Sequence, residues 1–164
     1  MKLQTHHFLD ERNILYTPLT FPETIDKGAA SVARTLGYRE RQMVKTLIFV
    51  TAVNEHVLVM VGGDQKAISG HLKKAIGSKN IKMASFDAIK AVTGYEVGSI
   101  PPFHWQPAGF RSFLEASLLE EEILGVGAGV WGNEIMITPS NLLLAAGATA
   151  VNLTKRGQSI FPEL

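Results

Sequence analysis

The chain has 164 residues, 46% hydrophobic and 19% charged, with a net charge of +1 and no cysteine. That length allows one domain with a real core, and residues 1–164 are read as a single domain. The charge balance excludes a polycation. The missing cysteines exclude disulfides, thiolate metal sites and a cysteine nucleophile, and fit a reducing, cytoplasmic setting.

In chain order, the N-terminal residues 1–7 turn acidic at Asp10-Glu11 and carry no signal-type apolar core. Thr5 is placed to cap a short helix over 6–13. Ile14-Leu15-Tyr16 reads as a short strand stopped by Pro18, and residues 21–24 as a loop. From about Ile25, the apolar residues Ala29, Val32, Ala33 and Leu36 recur at helical spacing, and Gly37 closes that helix. A turn over 39–43 leads into residues 44–53, apolar enough to predict a central, buried strand. Asn54-Glu55 predicts a hairpin turn, and 56–61 a returning strand that ends at Gly62-Gly63-Asp64.

The next region is basic. Ile68, Leu72, Ala75 and Ile76 form the apolar stripe of a helix closed by Gly77. A second helix over 85–93 has a Ser85 cap and a Gly94 stop. Between 66 and 90 stand Lys66, Lys73, Lys74, Lys79, Lys82 and Lys90, against the single acid Asp87. Two readings stay open: a solvated, solubilising face, or a patch that follows a phosphate backbone without reading sequence.

Residues 94–105, Gly-Tyr-Glu-Val-Gly-Ser-Ile-Pro-Pro-Phe-His-Trp, are the most unusual local composition in the chain. Pro101-Pro102 cannot sit inside a helix or a central strand, and Gly98 permits a tight turn with close approach to backbone. The stretch reads either as a stiff linker or as a rigid loop whose N–H groups at 98–100 face a ligand. Beyond it, 109–117, 122–126, 134–137 and 148–153 read as strands, and 139–146 as a helix ended by Gly147. Gly125-Val126-Gly127-Ala128-Gly129 lacks a following Gly-Lys-Ser/Thr, so it suits a turn at a pocket better than a phosphate loop. Hairpin-like strand pairs with helices between them favour an α+β or mixed-sheet fold over a doubly wound parallel sheet.

No run reaches the roughly eighteen apolar residues a membrane span needs. His6, His7, His56, His71 and His104 never take a ligand spacing, so no metal site is expected. His104 alone is kept as a candidate, because it lies in the proline-rich loop. There is no Gly-x-Ser-x-Gly, and Ser99 has no evident paired base. Lys45 heads the most apolar strand, where a charge is costly unless something binds it. It either reaches back to water or points into a pocket as a fixed positive charge. A pocket with one lysine, bare loop amides and no nucleophile suits attack by water on a reactive ester, with the amides on the oxyanion.

Val44-Lys45-Thr46-Leu47, followed by Thr93-Gly94-Tyr95-Glu96-Val97-Gly98-Ser99-Ile100-Pro101-Pro102-Phe103, resembles the YbaK/ProX family of aminoacyl-tRNA deacylases. That family includes free-standing editing proteins and the editing insertion of bacterial prolyl-tRNA synthetases. The likeness extends to Leu36-Gly37, Gly127-Ala128-Gly129 and the 139–147 segment. It implies an α/β (α+β) fold, with a mixed, largely antiparallel central sheet or partial barrel flanked by helices. It also implies hydrolysis of the ester between a wrong amino acid and the 3′ end of tRNA, without cofactor, metal or protein nucleophile.

Under that resemblance the catalytic positions are Lys45, Gly98, Ser99, Ile100 and Pro101, with help from a ribose hydroxyl of the substrate. Thr46, His104, Gly127, Ala128, Gly129 and Glu134 fall to substrate binding, and Lys66, Lys73, Lys74, Lys79 and Lys82 to tRNA. The implied partners are aminoacyl-tRNA and, optionally, a synthetase, with no role for DNA or membrane. Two departures touch the pocket rim. Many members have Gly-Gly-x-Ser-Pro where this chain has Gly98-Ser99-Ile100-Pro101-Pro102, and Gly where it has His104-Trp105. They leave the amino acid open among alanine, cysteine, serine and others. Two competing readings are a tRNA- or synthetase-binding module without activity, and a small-molecule ester hydrolase.

Overall fold

The computed structural model describes residues 2–155. Within them the helices are α1 (Gln4–Glu11), α2 (Ala29–Leu36), α3 (Ser69–Ile76), α4 (Phe86–Thr93) and α5 (Pro139–Ala146). The strands are β1 (Thr17–Thr20), β2 (Lys45–Thr51), β3 (His56–Val61), β4 (Ile81–Met83), β5 (Ser112–Glu115), β6 (Leu124–Gly127), β7 (Asn133–Ile137) and β8 (Ala148–Val151). Four of the helices end on a left-handed glycine, at Gly37, Gly77, Gly94 and Gly147, as their sequences predict. Ser85 caps α4 by accepting the Ala88 N–H, and Thr138 caps α5 by accepting that of Asn141.

The strands form a five-stranded sheet in the order β4-β2-β3-β5-β8 and a three-stranded one in the order β1-β7-β6. The first is mixed: β4, β2 and β3 pair antiparallel, and β3, β5 and β8 parallel. The second is antiparallel throughout. They are tied where the entry to β2 meets β6: Met43 bridges Gly125, and the Val44 N–H donates to the Gly125 carbonyl at 2.8 Å. This is the mixed α/β architecture expected from the sequence.

The near-continuous apolar runs of β2 and β3 arise because both faces of the larger sheet are covered. Ile48, Leu58, Met60 and Leu114 enter a core with Leu9, Phe103, Leu124, Ile135 and Leu142. The alternate residues Phe49, Val57, Val59 and Phe113 pack with Leu72 and Ile76 of α3. A third cluster, Phe21, Val32, Ala33, Met43 and Met136, joins α2 to the smaller sheet.

Three local expectations fail. Thr5 is no cap. It lies inside α1, fully buried, and its hydroxyl donates to the Ala128 carbonyl at 2.8 Å. Residues 14–16 are not a strand. The strand is Thr17–Thr20 and includes Pro18, which is tolerated because β1 is an edge strand. The three residues of β4 form a strand where none was expected.

Candidate active site

A cavity of about 600 Å³ opens between α2, the start of β2, the 97–100 loop and the β6–β7 hairpin. Lys45, Thr46, Gly98, Ser99, Ile100, Gly127 and Glu134 all line it, brought together from four separate stretches of chain. Sequence reasoning missed the rest of its wall, including Phe21, Lys27, Val32, Phe86, Trp131 and Asn133.

Lys45 is the first residue of β2 and half-buried. Its ammonium donates to the Gln65 carbonyl at 2.7 Å, so it is neither free in water nor paired with a carboxylate. Gln65 is itself clamped. Its side-chain oxygen accepts the Gly62 N–H at 2.8 Å, and its amide donates to Ser117 Oγ at 3.1 Å and Thr154 Oγ1 at 3.4 Å. Ser117 Oγ in turn donates to the Glu115 carboxylate. Glu115 is buried on β5 and also accepts the backbone N–H groups of Ser117, Leu153 and Thr154. Burial pushes its pKa up, but these hydrogen bonds outweigh burial and hold it below the usual carboxylate range. A chain of hydrogen bonds thus runs from a buried carboxylate to the cavity lysine. Gln65 and Glu115 stand in no motif, so nothing in their spacing signalled it.

The loop offers backbone donors. Gly98 takes a left-handed φ of +99°, and the Ser99 N–H turns back to the Glu96 carbonyl at 3.3 Å. Among the described residues, the N–H groups of Gly98 and Ile100 meet no protein acceptor. The rings that follow anchor the loop from behind. Phe103 is fully buried and stacks on Phe8. Trp105 Nε1–H donates to the Pro101 carbonyl at 2.6 Å, and the Gln106 amide to the Pro102 carbonyl at 2.8 Å. His104, at a φ of +78°, is hydrogen-bonded through Nε2 to the Tyr95 hydroxyl, and burial lowers its pKa. His104, Pro101, Ala128 and Gly129 do not line the cavity. Gly129 instead makes room for Tyr95, whose ring would lie 2.6 Å from an added Cβ.

Gly127 matters for closeness. A Cβ there would stand 3.1 Å from the Ser99 carbonyl carbon and oxygen and 3.2 Å from the Ile100 oxygen. Across the ladder its partner is Glu134. The Glu134 side chain is 8% exposed, and burial, the sole cause, pushes its pKa up to about 8. Lys27 lies over the Trp131 ring, 4.0 Å from its centroid.

The lysines divide. Lys73, Lys79 and Lys82 line a second, open groove of about 650 Å³ with Thr51, Asn54, Ser69 and Asn80. Lys66 and Lys74 are exposed outside it. Among the described residues, no three His, Cys, Asp or Glu side chains are grouped to hold a metal ion, and no helix is long and apolar enough to cross a membrane.

Residues 26–145 match the sequence profile of the aminoacyl-tRNA editing domain, so the chain belongs to that family. It is similar to an Enterococcus faecalis protein named "Putative Cys-tRNA(Pro)/Cys-tRNA(Cys) deacylase EbsC", with 25% identity over 156 residues and 94% of each chain covered. The Escherichia coli "Multifunctional Ser/Thr-tRNA deacylase ProXp-y" is 28% identical over 104 residues, covering 63% of this chain and 62% of that one. Among solved structures, a "putative trans-editing enzyme for prolyl tRNA synthetase" superposes with a TM-score of 0.82 at 21% identity, covering 95% of this chain and 100% of that one. That likeness shows a shared fold.

Proposed function

We propose that this protein is a trans-editing hydrolase that deacylates mischarged aminoacyl-tRNA at its 3′-terminal ester. One observation carries the reading: in a member of the editing family, Gly98 and Ile100, whose N–H groups meet no acceptor among the described residues, line one cavity with Lys45. Water adds to the ester carbonyl, and the negative oxygen that forms is met by these amides. Preorganised donors of this kind are worth about 10²–10³ in rate each. The tetrahedral intermediate then expels the ribose oxygen, which takes up the proton released by the attacking water, and the free amino acid departs. Lys45, fixed by the Gln65 carbonyl, supplies positive charge beside the ester or the ribose. No protein nucleophile and no cofactor enters these steps.

Phe86 stands at the mouth of the cavity, 75% exposed. Its ring faces are open to stack the terminal base, the usual way unpaired bases are held. Trp131 is less suited, because it makes an edge contact with Phe21 and carries Lys27 on its face. The groove of Lys73, Lys79 and Lys82 then takes backbone phosphates further along the tRNA, with Lys66 and Lys74 adding charge outside it. The substrate is a small amino acid.

The test is single-turnover deacylation of mischarged tRNA by the wild type and by Lys45→Ala. Loss of release in a folded variant supports the reading, and retained release removes Lys45 from it. A binding module without activity would bind tRNA in both forms and release nothing. A small-molecule esterase would hydrolyse simple esters and show no salt-dependent tRNA binding.

A further inference from the structure

We propose that Glu134 binds the α-ammonium group of the aminoacyl moiety, so that the site selects esters with a free α-amine. The inference rests on the deacylase reading and adds what the acyl end of the cavity recognises.

The geometry comes from the β6–β7 ladder. Glu134 pairs directly with Gly127, and directly paired residues project from the same face of an antiparallel sheet. Gly127 has no side chain, and the space beside it is filled by the Ser99 and Ile100 backbone, within 3.1–3.2 Å of where a Cβ would be. The Glu134 side chain therefore emerges on the face where the loop crosses, and it shares the cavity with Gly98, Ser99 and Ile100. The α-nitrogen of an aminoacyl ester is two bonds from that carbonyl carbon. A group that reads it must lie near the carbonyl site, and Glu134 lies on the cavity wall that the 99–100 backbone crosses.

The chemistry agrees. The carboxyl lines the cavity, nine-tenths buried, and among the described residues no hydrogen-bond donor or cation meets it. Lys27 and Lys45, the cavity's other charged residues, are engaged with Trp131 and with the Gln65 carbonyl. A buried, unpaired carboxyl is costly and is kept neutral by its surroundings. An incoming α-amine gives it a partner: if the amine arrives neutral, the carboxyl proton passes to nitrogen, and if it arrives charged, the proton is lost to water. Both routes end in the same desolvated ion pair. Esters with an acylated α-nitrogen, as in formyl- or peptidyl-tRNA, bring no such cation and are spared.

The experiment compares a sensitive aminoacyl-tRNA with the matched α-hydroxyacyl-tRNA, which has the same side chain with a hydroxyl in place of the amine. Each rate is divided by its spontaneous rate. The wild type should prefer the amine by at least about tenfold, as expected for a charge-assisted pair. Glu134→Gln should bring that ratio near one by losing rate on the amine substrate, and Glu134→Asp, which keeps the charge, should retain part of it. Equal loss on both substrates would make Glu134 a general base or a fold residue and overturn the inference, as would a wild-type ratio near one. If the wild type hydrolyses neither ester, the deacylase reading fails. Binding of 3′-amide-linked aminoacyl- and hydroxyacyl-adenosine to the same proteins then decides, and equal affinities overturn the role of Glu134.

Discussion

At the scale of single residues, the site depends on the absent side chain at Gly127. An alanine there would meet the Ser99 carbonyl at 3.1 Å, so the loop must retreat by a few tenths of an ångström. Gly127→Ala should therefore lower the deacylation rate by about 10–100-fold, because small misplacements of catalytic groups are costly. Its thermal midpoint should stay close to wild type, and parallel rate and melting measurements check both. Glu134 supplies a second prediction. Its pKa is raised in the folded protein to about 8, above the usual carboxylate value. The folded state then binds the proton more tightly than the unfolded chain, and its advantage is lost as pH rises toward 8. Glu134→Gln, which has no proton to lose, should melt increasingly above wild type from about pH 4.5 to pH 8. A constant difference across that range would contradict the burial argument. Lys45, Gly98, Ile100, Gly127 and Glu134 were legible as site candidates largely through the family resemblance, which marks residues far apart in the chain. Gln65, Phe86 and Trp131 were not, because each looks ordinary among its neighbours and gains meaning only from what the fold sets against it.

At the scale of elements, the proline-rich stretch is a buttress with a functional edge. Its rings and amide side chain lie outside the cavity and lock the carbonyls of Pro101 and Pro102, while Gly98, Ser99 and Ile100 line the cavity. Composition singled out the stretch but could not tell which residues face the ligand, and His104 faces Tyr95. Strand β1 shows a different limit. Proline reads as a stop in a strand, yet at an edge its missing N–H costs no ladder bond, and only the strand order reveals the edge. Glu115 holds β5, the turn after it and the segment beyond β8 together through its accepted hydrogen bonds. Glu115→Ala should cost about 3 kcal/mol or more of stability, since it leaves buried donors unpaired. It should also slow deacylation through Gln65 and Lys45. Because the folded pKa of Glu115 is depressed, its contribution is present above the unfolded carboxylate pKa and lost as pH falls through the folded value. The cost of the substitution should shrink in acid, as urea titrations at neutral and acid pH would show.

At the scale of the whole molecule, the cavity and the lysine groove lie at opposite ends of β2. Lys45 begins the strand and lines the first, while Thr51 ends it and lines the second. Lys45 and Thr51 are six residue steps, about 20 Å, apart along the strand. With the two openings at opposite ends of the strand, the groove suits phosphates away from the esterified end. Replacing Lys73, Lys79 and Lys82 together by glutamate should weaken tRNA binding and reduce its salt dependence, with the slope falling by roughly one for each phosphate no longer neutralised. Hydrolysis of a short aminoacyl-nucleotide ester should be unchanged. An unchanged slope would return these lysines to the role of a solvated face.

The most direct test of the account is release of amino acid from a panel of mischarged tRNAs under single-turnover conditions, wild type against Lys45→Ala, with tRNA binding measured alongside. The wild type should free one or a few small amino acids well above the spontaneous rate, and Lys45→Ala should bind tRNA but free none. A wild-type protein that binds every tRNA in the panel and releases nothing would contradict it.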